Sequence, residues 1–574
     1  MLQDILFHSD KRCLSLALVL FMVCGSLPAY AVEKPNVDVG TITDSVKERK
    51  TIPPQANVKI EVTKEQEETA HKKEGYKLKV NGIHITGQTI YPEDKLQDLV
   101  KGAIGKEATL SELEAIAGQI AQYFNERGYI VADAYLPSQK IEGGIVNIAV
   151  VPGRYGSLEI RNHSKFSTKV ANQMLSNIKS GDFVKKDTLE RTLMLLSDIG
   201  GISIKATLAP GKTTGTTSLI VEINDTNTLT SEYSMDNNGN RYAGHYRGNL
   251  NLHFNNLSCL GDVVSIGGNI GGNTDGSTHN ININYLLPVG KQGTKLGVGY
   301  SRLHYKLGRK FASLDFNGSA ENANIFGIYP LVRSRDHNLY VQLDYEHRKL
   351  EDNMYGFAFT NKHANVWTLG LHGDSRDNFH GGGINSFALN VSSGHLAFDG
   401  GKDENGNSAK THDRGTARTA GTYTKASLNY NRLQYLNNRL NLNLSFTGQL
   451  ASKNLDSSEK LFLGGANGVR AYPQGEASGD QGYLVTGELR WNIPTPAYQL
   501  VAFIDNGRVT INKNPWPAAG GGSRSLTGAG LGIIISTRKD YSIRMDYAWK
   551  ISSSAATADT DKNGRWWLKG TRYF

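Results

Sequence analysis

Two charged residues stand in settings that could do chemistry. Arg470 lies within Leu463-Gly464-Gly465-Ala466-Asn467-Gly468-Val469-Arg470-Ala471-Tyr472-Pro473, where glycines and an aromatic ring surround one guanidinium. Asp505 lies within Phe503-Ile504-Asp505-Asn506-Gly507. In an extended segment from Leu500 to Gly507, Phe503 and Asp505 share one face while Ala502 and Ile504 take the other. If the apolar pair faces lipid, the carboxylate must face a lumen, because a charge on the lipid side is costly. A planar guanidinium suits two-point capture of such a carboxylate. The plain alternative for Arg470 is a solvated loop arginine, and the flanking glycines and Tyr472 argue against it.

Catalysis finds no comparable setting. No Ser/His/Asp order sits in a nucleophile context, and Cys259 lacks a papain-like one. His245, His253 and His380 are scattered and no His-Glu-x-x-His occurs, so no metal or other cofactor is expected. Gly528-x-Gly530-x-Gly532 is a fragment of a phosphate-loop pattern, but it lies in an alternating segment with no helix after it. The expectation is a protein that is not an enzyme, with a surface lipase or protease as the minor alternative.

The elements that would position Arg470 and Asp505 begin with export. Lys11 and Arg12 precede an apolar run from Leu14 to Leu27, and Ala29-Tyr30-Ala31 supplies small residues for cleavage, so residues 1–31 read as a signal peptide. Cys24 suggests a lipoprotein, but Val23 before it is bulkier than such sites prefer. Cleavage after Ala31 leaves Cys259 alone, which excludes disulfide staples and cysteine metal clusters. The formal charge of +9 is spread over more than 500 residues and argues for no nucleic-acid partner. No later apolar run approaches ~18 residues, so no transmembrane helix is expected. The mean hydropathy of −0.39 still permits membrane strands, which average lipid-facing and lumen-facing residues.

Four regions follow. Residues 32–75 are polar, with Pro53-Pro54 inside them; Val39, Ile42 and Val46 allow a weak helix near 37–50, and 56–75 reads as a charged linker. Residues 76–153 read as mixed α/β: a strand through Leu78, Val80 and Ile83, a helix opened by the Thr109/Glu112 capping box and ended by Gly128, and strands at 130–136 and 145–151. Residues 154–225 repeat that plan, an internal duplication of architecture. From 226 to 574 strict alternation takes over, as in Leu440, Leu442, Leu444 and Phe446 against Asn441, Asn443 and Ser445. Export, strands of about ten residues and a polar face rich in Asn, Arg and Asp favour a membrane β-barrel over a soluble sandwich or propeller. The length suits about sixteen antiparallel strands at ~20–22 residues per strand and connection.

These features together resemble the two-partner secretion transporters of the Gram-negative outer membrane. The resemblance rests on Tyr123-Phe124-Asn125-Glu126-Arg127-Gly128-Tyr129 with Ala134-Tyr135-Leu136-Pro137 and Gln139, on Asp236-Asn237-Asn238-Gly239 with Gly244, Arg247, Asn256-Leu257 and Leu260-Gly261-Asp262, and on Tyr285-Leu286-Leu287-Pro288-Val289-Gly290. Its sharpest part is Gly468, Val469, Arg470 and Tyr472, similar to the family's tip of a long sixth extracellular loop, and Phe503, Asp505 and Gly507, similar to the barrel-wall motif that receives it. The chain departs from the family at Ala471, a glycine there, at Ser258 or Cys259, and at Arg572 near the terminal Phe574, where an apolar residue is common.

The resemblance implies a plug helix and linker over 32–75, polypeptide-transport-associated (POTRA) domains over 76–153 and 154–225, and a barrel over 226–574. It further implies ATP-independent export of a large exoprotein with an N-terminal secretion domain (adhesin, haemolysin or contact-dependent toxin), captured by strand addition to the POTRA domains. Outer-membrane lipid, the barrel assembly machinery during biogenesis and a monomeric state complete the expectation. The rivals are an assembly insertase of the same superfamily and a passive porin or receptor.

Overall fold

The computed structural model describes residues 35, 37–46, 59–62, 77–272, 275–403, 405–519, 522–537 and 540–574. The expected signal peptide, and most of the expected linker, lie outside the described residues. From Leu229–Asp236 to Gly564–Tyr573, sixteen strands run antiparallel and the last pairs with the first, closing a barrel. The alternation explains its two faces. Ile281, Ile283, Leu500, Ile504 and Leu531 are exposed on the outside, whereas Asp505, Phe503 and Glu488 are buried inside. Outward aromatics gather at both ends: Trp491 and Tyr498 at one, Tyr483, Trp549 and Trp566 at the other. Tyr483 and Trp491 share one strand, eight residues and ~26 Å apart along it, which after tilt suits an apolar membrane band. Strands reach twenty-one residues at Phe357–Asp377, longer than the ten or so expected. Arg572 faces outward and pairs with Asp540 in the preceding turn, so its charge snorkels to the rim instead of meeting lipid.

Two α/β modules precede the barrel and share one topology. In each, the first strand lies parallel to the third and the second antiparallel to it: Gly82–Thr86, Asp133–Tyr135 and Ile145–Val151 in one, Arg154–His163, Ile202–Pro210 and Thr216–Asp225 in the other. The capping box forms as read, with the Thr109 and Glu112 side chains each accepting from the other's backbone N–H at the start of helix Leu110–Glu126. Gln139 pairs with the backbone of Asn147 at 2.7 and 2.8 Å, as a strand neighbour would.

Three readings need correction. The strand drawn through Leu78–Ile83 is two short ones, Leu78–Lys79 and Gly82–Thr86. Helix Glu93–Val100 was missed, its Leu96 and Val100 being too few apolar positions to show a period. The charged linker contains a strand: Lys59–Val62 adds in parallel to Ile202–Pro210 in the second module's sheet. Its side chains gave little signal because strand addition there is made by backbone groups.

The second module is fastened to the near end of the barrel. Arg333 grips Asp198 with two bonds of 2.6 and 2.8 Å, Arg191 donates to the carbonyl of Pro330, and Ser167 N–H donates to the carbonyl of Cys259. Cys259 sits at φ 63°, the left-handed region that favours glycine.

Helix Val39–Val46 (α1) lies against the inner wall, with Val37, Val39 and Ile42 packed on Leu303, Tyr305, Phe311 and Leu350. Wall charges of opposite sign meet its two ends. Asp352 accepts from Val39 N–H at 3.0 Å, and Arg247, itself held by Asp236 at 2.8 and 3.1 Å, donates to the Ser45 carbonyl. Both contacts complement the helix dipole. Gly40, which weakens the helix intrinsically, is required by packing: a Cβ there would lie 2.5 Å from the Ser457 carbonyl carbon.

Candidate functional site

The connection 452–480 folds back into the barrel instead of standing away from it. Leu461–Phe462 pairs with Ser478–Gly479, and the turn between them is closed by Val469 N–H to Leu463 O at 2.7 Å and Tyr472 N–H to Val469 O at 3.0 Å. Gly468 fits here because a Cβ would strike the Leu463 carbonyl. The turn therefore presents Arg470 as a rigid tip.

Arg470 is 3% exposed and meets a balanced set of charges. Its Nε and Nη2 bond Asp505 Oδ2 and Oδ1 at 2.9 and 2.7 Å, its own N–H adds a third bond to Asp505, and Nη1 reaches Glu488 at 2.7 Å and Asp546 at 3.2 Å. Arg490 and Arg544 also bond Glu488, so three guanidiniums face three carboxylates. Thr486 donates to Asp505 at 3.0 Å. The Phe503 ring lies 3.3 Å from the Arg470 guanidinium carbon, and Trp567 donates to the Arg470 carbonyl at 2.7 Å. Buried charges are tolerated only when paired and bonded in this way.

The neighbouring strand Ser523–Ser536 supplies room. A Cβ on Gly528 would lie 2.5 Å from the Ala471 methyl, and one on Gly530 2.7 Å from a Phe503 ring carbon. The glycine pattern that resembled a phosphate loop is thus the floor beneath the tip. It also accounts for Ala471, whose methyl occupies the space that Gly528 leaves. Gly507 similarly admits Leu463, 2.7 Å from where its Cβ would be.

Further contacts hold the rest of the loop. Tyr472 is buried and its hydroxyl bonds Ser552 and Ser554. Glu476, fully buried, accepts from Thr557 N–H at 2.8 Å, Ala558 N–H at 2.7 Å and Arg524 at 2.5 Å. Across the lumen, Asp456 bonds Lys362 at 2.6 Å, and Glu459 pairs with Arg348 and Lys425.

Arg470 and Asp505 are therefore in direct contact, with Phe503 beneath and Gly468, Val469, Tyr472 and Gly507 shaping the fit. Glu488, Asp546, Arg490, Arg544 and Trp567 were not singled out from sequence. Their signal was present: charged residues two apart on the lumen-facing side of strands otherwise apolar on the outside.

Comparison with known proteins follows the same lines. The family described as haemolysin secretion/activation protein ShlB/FhaC/HecB matches residues 215–535, over half of the chain, and the ShlB-type POTRA domain matches residues 78–153. The chain belongs to the haemolysin secretion/activation family. It is 29% identical over 488 residues to the heme/hemopexin transporter protein HuxB of Haemophilus influenzae (strain 86-028NP), covering 84% of each chain. It is 22% identical over 507 residues to the outer membrane transporter CdiB of Dickeya dadantii (strain 3937), covering 82% of this chain and 83% of that one. Among solved structures, CdiB from Escherichia coli matches with a TM-score of 0.68 at 19% identity, covering 88% of this chain and 92% of that one. BamA from Haemophilus ducreyi lacking POTRA domains 1–3 matches at 0.52 and 16%, covering 86% and 100%. These structural likenesses concern the fold. The chain is an outer-membrane β-barrel transporter of two-partner secretion, with its POTRA region in the periplasm.

Proposed function

We propose that the transporter carries one large exoprotein, bearing an N-terminal secretion domain, from the periplasm to the cell surface without ATP. The observation that carries this reading is α1, an element inside the lumen held at both ends by wall charges and separable from the barrel ladder. Residues 76–153 and 154–225 are proposed as two POTRA domains before a barrel over 226–574. The exoprotein would add as a strand at Asp133–Tyr135, Gly82–Thr86 or Arg154–His163, the outer strands of these sheets among the described residues, since Lys59–Val62 occupies the edge at Ile202–Pro210. Gly468, Val469, Arg470 and Tyr472 with Phe503, Asp505 and Gly507 form the proposed lock that keeps loop 6 in its transport-competent place. Folding of the cargo outside supplies the drive. The chain acts as a monomer without catalysis, and is inserted into lipid by the barrel assembly machinery.

The similarity to the heme/hemopexin transporter protein favours a cargo concerned with heme or hemopexin. Deleting residues 76–225 tests the reading: the neighbouring exoprotein should disappear from the medium while other outer-membrane barrels assemble. Continued export refutes it, and a general assembly defect instead supports the insertase.

A further inference from the structure

Three glycines on the inner wall are each flanked on both neighbouring strands by a side-chain amide. Asn251, Gly267 and Asn282 lie in register across three strands, as do Asn284, Gly299 and Asn324, and again Gln342, Gly370 and Asn390. The asparagine amides close over the glycines, while the Gln342 amide turns to donate to Asp344 at 2.6 Å. A Cβ on Gly267 would lie 2.6 Å from Asn282 Nδ2 and 2.7 Å from Asn251 Oδ1, one on Gly370 2.8 Å from Asn390 Oδ1, and one on Gly299 would strike Oδ1 of both Asn284 and Asn324. Each rung thus presents amide groups to the lumen above a glycine, in space that any side chain at the glycine would take from them.

The rungs lie on the path from the periplasm to the plug. Gly299 precedes Leu303, where the α1 packing cluster begins, by four residues or ~13 Å along the strand. The first two rungs stand on the part of the wall opposite the ionic lock; Ser301 continues the first and Ser265 the second, while Glu232, which accepts from the Asn251 amide at 2.9 Å, and Glu346 close their other ends. The chemistry matches a polypeptide main chain. A primary amide offers both a donor and an acceptor, the same groups a peptide unit carries. An extended chain has backbone groups with no internal partners and must exchange them with its surroundings. Each such exchange is worth only ~0.5–1.5 kcal/mol net, so amides hold the chain without trapping it, whereas charged walls would bind particular side chains.

We propose that these amide–glycine–amide rungs form a track that hydrogen-bonds the backbone of the extended exoprotein in transit without reading its sequence. The proposal rests on the reading that the lumen conducts an unfolded polypeptide. The alternative is that the amides only stiffen the wall.

The test uses the full chain in planar lipid bilayers, with a soluble uncharged peptide of glycine, serine and asparagine added on the periplasmic side during channel openings. Replacing Asn282, Asn284 and Asn324 together by Ala should shorten the peptide's blocking time about fivefold or more, the loss of roughly one net hydrogen bond. Replacing the same three by Gln should restore it, and the heat-modifiability midpoint should stay at the parent value in both. If the triple Ala variant does not insert, Asn284→Ala alone serves for the same comparison. A parent channel that the peptide never blocks overturns polypeptide conduction and the track with it. A blocked parent whose Ala variant blocks equally long overturns the track alone. A lowered midpoint with no rescue by Gln assigns the amides to wall stiffness and also overturns the track.

Discussion

Replacing Arg470 by Ala is the perturbation whose size the structure defines best. The guanidinium is 3% exposed, and its loss leaves Asp505, which is fully buried, with Thr486 as the remaining side-chain donor. Breaking a buried, bonded pair by removing one partner costs about 3–5 kcal/mol. The strand ladder does not pass through the tip, so this cost falls on the docking of loop 6 and not on the barrel. At ~1.4 kcal/mol per decade, the undocked population of the tip should rise by roughly two to three and a half orders of magnitude. Hydrogen exchange of residues 463–473 in the inserted protein reads that population, and exoprotein in the medium reads transport. Arg470→Ala should lose tip protection and reduce secretion while the barrel stays heat-modifiable. Asp505→Ala should behave alike, and the double variant should fall short of the sum, because each single change already destroys the pair. Additive effects on exchange would refute the pairing as the source of docking. Unaltered secretion with an undocked tip would remove Arg470 from the transport mechanism.

Three further outcomes are expected. Gly40→Leu should displace α1, since a side chain there runs into Ser457 and Ser458, and bilayer recordings should show far longer openings than the parent. Asp198→Ala leaves Arg333, buried against the second module, without its two-point partner. Limited proteolysis should then cut between module and barrel sooner, with a destabilisation of about 1–3 kcal/mol. Glu112 is held below the ordinary carboxylate range because Thr109 N–H and hydroxyl donate to its charged form. Its folded value is depressed, so its stabilisation is present above the unfolded value and lost as pH falls through the folded one; exchange protection of Leu110–Glu126 should weaken on acidification, and less so in Glu112→Gln.

Much of the barrel was legible because a period of two is a local property. Each strand declares its outward face through residues such as Ile504 and Leu531, and lipid on one side with polar contents on the other leaves no second solution. The Thr109–Glu112 box is likewise local, closing over three residues. Strand Lys59–Val62 was not legible, since its partner lies over 140 residues away and the pairing is made by backbone groups that all sequences share.

The same division runs through the lock. Alternation alone sets Asp505 toward the lumen, and glycines alone make the Arg470 segment a turn. That Glu488 and Asp546 join them, that Gly528 makes room for Ala471, and that Gly40 must be small for Ser457 all depend on closure of the barrel. Closure brings strands distant in sequence within one guanidinium's reach and sets α1 against a loop over 400 residues away. Such contacts are properties of enclosed volume and charge balance, which no stretch of sequence carries by itself.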